Sequence, residues 1–103
     1  MKIVKVTYTT QAGYSSQNKA NIQAVMNDLQ QLNNPAINYY VCVGADDKTF
    51  THTAFFQAEE DQQTLFNLET FKHFQQQLKA SEPEAAPKQE LLSLVGSSKE
   101  IFN

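Results

Sequence analysis

The chain has 103 residues, a formal net charge of −3, one cysteine, no arginine and no tryptophan. That length suits one domain, residues 1–103, and excludes a large enzyme. Without guanidinium forks, and with eight scattered lysines, no nucleic-acid partner is expected. Cys42 alone cannot close an intrachain disulfide. No apolar run approaches the ~18 residues of a membrane span. The chain opens directly into a strand pattern, so the expectation is a soluble cytoplasmic protein with no membrane contact.

Lys2–Thr10 alternates, with Val4, Val6 and Tyr8 on one face and Ile3, Lys5, Thr7 and Thr9 on the other. This is the period of a strand. Gln11–Gln17 is a polar turn in which Ser15 or Ser16 can cap the following helix. Ile22, Val25, Met26, Leu29 and Leu32 fall at spacings of three and four, the stripe of an amphipathic helix that Asn33-Asn34-Pro35 ends. Ile37–Val43 reads as a second strand, with Ile37, Tyr39, Val41 and Val43 on one face. The turn Gly44–Lys48 joins it to a third, Thr49–Phe56, as a hairpin.

A helix begins near Glu59, where Glu60 and Asp61 add negative charge at its positive end. It breaks near Asn67-Leu68 and continues through Phe71, Phe74 and Leu78. Lys79–Glu90 contains two prolines and reads as a loop. Leu91–Val95 reads as the last strand, and Gly96–Asn103 as a tail that extends it. The order β-α-β-β-α-β predicts an α+β, ferredoxin-like domain: an antiparallel four-stranded sheet with its helices on one face. Several strands read as apolar on both faces. The uncovered face is therefore expected to pack on a second copy, giving a homodimer.

Three stretches carry a resemblance to a known family: F-x-H-x-A-F-F-Q-A-E-E-D (Phe50–Asp61), L-E-T-F-K-H-F (Leu68–Phe74) and L-L-S-L-V-G-S (Leu91–Ser97). With the element order, they resemble the dimeric α/β-barrel superfamily and its antibiotic-biosynthesis-monooxygenase-like group. The resemblance implies a homodimer with a small cavity between each sheet and its own helices. It also implies cofactor-independent oxygenation of a small aromatic or quinone-like molecule, or haem degradation. Many oxygenase members place a Trp where Phe56 stands, a Glu where Ala54 stands and a His where Leu65 stands. Haem-degrading members use an Asn, that Trp and a His at positions held here by Thr7, Phe56 and Gln75. No haem, and no other cofactor, is expected.

His52 is the candidate catalytic residue, because an imidazole titrates near neutrality and can move a phenolic proton. The alternative is a histidine hydrogen-bonded in the core or at the dimer interface. Thr7, Tyr39, Phe56, Phe71, Phe74 and Gln75 form the candidate ligand-binding set. Tyr8 and Tyr40 can also orient a substrate, although packing with one hydroxyl partner is the ordinary role of such tyrosines. His73 points away from the Phe71/Phe74 stripe and reads as solvated. Cys42 reads as a small buried hydrophobe. Two histidines and one distant cysteine form no metal-site spacing. The reading is a monooxygenase-like barrel. A barrel that binds an apolar ligand without turnover, or has a structural or stress-related role, is the alternative.

Overall fold

A computed structural model describes residues 1–102. The elements are β1 (Lys2–Thr9), α1 (Ser15–Leu32), β2 (Ile37–Val43), β3 (Thr49–Phe56), α2 (Glu59–Phe66), α3 (Glu69–Ala80) and β4 (Ala85–Leu92). The strands form one antiparallel sheet in the order β2-β3-β1-β4, which is the ferredoxin-like arrangement. The expected break at Asn67-Leu68 separates α2 from α3. Asn67 closes α2 by donating its N–H to the Gln63 carbonyl at 2.9 Å.

The helices cover the face carrying Val4, Tyr8, Phe50, Ala54 and Phe56, which pack with Val25, Leu65, Phe71, Phe74 and Leu78 into one core. Ile22 and Leu29 join the edge of this cluster, whereas Leu32 at the end of the stripe is exposed. Asn33 takes a left-handed conformation (φ 51°) and closes α1.

Two local expectations are corrected. Ser15 does not accept a capping hydrogen bond. It is the first helical residue, and its hydroxyl donates to the Asp47 carbonyl at 2.5 Å, tying α1 to the β2–β3 turn. The last strand is not Leu91–Val95 but Ala85–Leu92, inside the stretch read as a loop. Pro87 suggested a loop, yet β4 is an edge strand paired only with β1, where a missing N–H is tolerated. The pairing shifts register between Thr7 and Thr9, so Ala86 and Pro87 oppose the single residue Tyr8 in a bulge.

This register also narrows the expected two-sided apolar sheet. The outer face carries Lys5, Thr7, Thr51, Thr53, Cys42, Lys88 and Glu90. Its apolar part is confined to one end, where Ile3, Phe55, Tyr40 and Leu92 gather. Cys42 is exposed rather than buried. Leu94 and Val95 lie beyond the sheet. The tail returns to β2, where Asn38 Nδ2 donates to the Ile101 carbonyl at 3.4 Å; Asn103 lies outside the described residues.

At the start of α2, the Asp61 carboxylate accepts from the Ala58 N–H at 2.9 Å and from Asn34 Nδ2 at 3.3 Å. Ala58 has no side-chain acceptor to return the bond, so Asp61 alone serves this helix end. Asp61→Ala is expected to lower stability by about 1 kcal/mol, measured as a lower urea midpoint with an unchanged m-value.

Candidate functional site

A cavity of about 440 Å³ lies between the sheet and α2–α3. Such a volume suits a small molecule of two or three fused rings. Strand alternation brings Val4, Val6 and Tyr8 of β1 and His52, Ala54 and Phe56 of β3 to its floor. The helical stripe supplies Leu65, Phe71, Phe74 and Leu78 as its roof.

The floor carries one polar row across three strands. His52 pairs with Val6 in β1 and with Val41 in β2, which sets its ring between Tyr8 and Tyr39. The Tyr8 hydroxyl lies 2.7 Å from His52 Nε2, and the Tyr39 hydroxyl lies 2.5 Å from Nδ1. Asn18 Nδ2, from α1, donates to the Tyr8 hydroxyl at 2.8 Å. Phe74 of α3 covers the imidazole with ring centroids 5.3 Å apart, and Phe50 stacks on Tyr8 at 5.6 Å.

His52 is only 5% exposed, and burial lowers its pKa to about 4. The ring is therefore neutral at pH 7. Burial likewise raises the phenol pKa values of Tyr8 and Tyr39, so both keep their protons. Among the described residues no carboxylate pairs with the imidazole, and no three His, Cys, Asp or Glu side chains gather as metal ligands.

The candidate residues separate clearly. His52, Tyr39, Phe56, Phe71, Phe74 and Gln75 all line the cavity. Thr7 does not. It alternates with Val6 and Tyr8 and lies on the outer face opposite Thr51, so it is no ligand contact within this chain. His52 faces the helices rather than the open sheet face and is hydrogen-bonded within the core. Tyr40 is on the outer face beside Phe55, and His73 is exposed.

Several contributors were not singled out from the sequence. Asn18 is completely buried. Its signal was its place on the α1 stripe, three residues before Asn21 and seven before Val25. Gln62, Lys79 and Gln89 add polar groups to the cavity wall. Gln62 is already engaged by Lys2 Nζ at 2.6 Å.

A buried neutral histidine gives folding a defined pH dependence. In the unfolded chain the imidazole takes its proton at 6.5, and in the fold only at about 4. Its contribution is complete above pH 6.5 and is lost as pH falls toward 4, by about 3 kcal/mol in all. Urea unfolding at intervals from pH 7 to pH 4 should show this loss. His52→Phe should flatten that window, whatever its own stability.

No family model and no curated protein matches the sequence. Solved structures do match the fold. One is a crystal structure of an antibiotic biosynthesis monooxygenase, with TM-score 0.74 and 10% identity over 93% of this chain and 100% of that one. Another is SnoaB, a cofactor-independent oxygenase from Streptomyces nogalater, with TM-score 0.68 and 12% identity over 96% and 98% of the two chains. A third, Rv0793 from Mycobacterium tuberculosis, has TM-score 0.77 and 9% identity over 95% and 98%. At these identities the likeness is one of backbone arrangement: the chain has the fold of the antibiotic biosynthesis monooxygenases.

Proposed function

We propose that the protein binds a small aromatic hydroxy or quinone-like molecule in the cavity and oxygenates it without a cofactor. The observation that carries this reading is the cavity itself, apolar on its walls and crossed by the single Tyr8–His52–Tyr39 row. Apolar walls suit the ring system, and the row supplies a hydrogen bond to its oxygen. The likeness to SnoaB supports the reaction type. The electrons would come from the substrate: α-naphthol and dioxygen, for example, give naphthoquinone and water with all atoms accounted for.

In this reading His52 holds Tyr39 in place, and Tyr39 touches the ligand oxygen. Phe56, Phe71 and Phe74 pack on the rings, and Gln75 stands at the wall with Lys79. One observation favours the second reading, ligand binding without turnover. With a pKa near 4 and both nitrogens engaged, His52 is a poor base. An oxygen electrode separates the two. Oxygen uptake with α-naphthol, giving naphthoquinone and falling at least tenfold in Tyr39→Phe, is the expected result. Binding with no uptake would establish the second reading.

The active unit is proposed to be a homodimer. β4 is exposed along its whole length, with Leu91 67% exposed and Val95 fully so. An unpaired edge strand followed by Leu94 and Val95 invites coverage by a second copy. The interface should bury roughly 2,000 Å² or more in total. Sedimentation through the micromolar range should show a dimer, and Leu91→Lys with Val95→Lys should shift it toward monomer.

A further inference from the structure

The row at the cavity floor has a property that follows from the neutrality of His52. A neutral imidazole carries one N–H, so one ring nitrogen donates and the other accepts. Tyr8 and Tyr39 must then play opposite parts toward the ring. In one polarity the Tyr8 O–H donates to Nε2, Nδ1–H donates to the Tyr39 oxygen, and the Tyr39 O–H is released toward the cavity. In the other polarity the Tyr39 O–H donates to Nδ1 and Nε2–H donates to the Tyr8 oxygen. Tyr39 then offers the cavity only an acceptor.

The second polarity needs an acceptor for the displaced Tyr8 O–H. Asn18 supplies it. Its Oδ1 is buried and has no hydrogen-bond partner among the described residues, while its Nδ2 donates to the Tyr8 hydroxyl. A half-turn of the amide exchanges the two atoms. Each polarity leaves one Asn18 atom unpaired, so neither is favoured on that count. An orphaned buried carbonyl oxygen otherwise carries the full cost of its lost hydration. Here it is the half of the amide that the other polarity uses.

We infer that Asn18–Tyr8–His52–Tyr39 is a reversible hydrogen-bond chain through which Tyr39 presents a donor or an acceptor according to the ligand. One cavity would then hold both a hydroxylated aromatic, which donates to Tyr39, and its oxo counterpart, which accepts from it. The inference rests on the reading of the cavity as an aromatic-ligand site, and it makes Asn18 a positioning residue that contacts no ligand. Substrate and product of the proposed oxygenation would be held by the same atom, with no net proton gained or lost by the protein.

Three ligands test it: indole, which only donates; naphthoquinone, which only accepts; and naphthalene, which does neither. Cys42→Ser protein avoids addition of the exposed thiol to the quinone. Long-range proton–nitrogen spectra of the His52 ring read the tautomer directly. Nε2 should carry the proton with indole bound, and Nδ1 with naphthoquinone bound. Both ligands should bind up to about tenfold more tightly than naphthalene, the worth of one net hydrogen bond. Asn18→Leu leaves the Tyr8 O–H no acceptor but His52. It should fix the proton on Nδ1, reduce indole to the affinity of naphthalene and spare naphthoquinone. The same tautomer in both complexes of the Cys42→Ser protein would overturn the chain while leaving the cavity reading intact, even if Asn18→Leu fails to fold. Failure of all three ligands to bind would overturn both.

Discussion

A single neutral imidazole, satisfied on both sides, is the constraint around which the protein is arranged. A buried histidine without partners would cost the desolvation of two ring nitrogens, and a charged one would cost more. His52 avoids both through Tyr8 and Tyr39, one from each neighbouring strand. That solution requires β3 to lie between β1 and β2 in this register. It also requires α1 to bring Asn18 against Tyr8, and α3 to bring Phe74 over the ring. Slipping either strand by one residue would turn a tyrosine to the outer face and leave a ring nitrogen unpaired.

The same arrangement explains why α1 is polar on part of its buried side. Ser15, Asn18 and Asn21 are buried there, ahead of Val25. Ser15 serves the Asp47 carbonyl, Asn18 serves Tyr8, and Asn21 Nδ2 donates to the Tyr14 hydroxyl at 3.3 Å. The first two turns of α1 therefore dock by hydrogen bonds and the rest by Ile22, Val25 and Leu29. A further tie fixes α1 to α3, where the Thr70 hydroxyl donates to Asp28 at 2.7 Å. The position of α3, which roofs the cavity, is thus set against α1 by a specific polar contact as well as by packing.

The last strand carries a different burden from the rest of the chain. β1, β2, β3 and the helices complete a core. β4 adds hydrogen bonds to β1, stays exposed along its length and pairs with no second strand among the described residues. Lys48 pairs with Glu84 at 2.9 Å just before β4, but that partly exposed pair contributes at most about 1 kcal/mol. The strand's exposed leucines leave its outer flank as the natural place for another chain to add order.

Periodicity determined most of the architecture. The limits of β2 and β3, the break at Asn67-Leu68 and the antiparallel order follow from local patterns that the structure reproduces. Five of the six ligand-binding candidates lie on the cavity, because helical and strand spacing fix which face a residue shares. Thr7 failed on that same rule, its neighbours Val6 and Tyr8 being the inward ones. β4 was not legible, because proline marks a loop unless the strand is an edge, and edge position is a property of the whole sheet. The network around His52 was not legible either. Tyr8, Asn18, Tyr39 and Phe74 come from four separate elements, and only tertiary packing decides that they meet, and so decides that the imidazole is buried, neutral and bonded at both nitrogens.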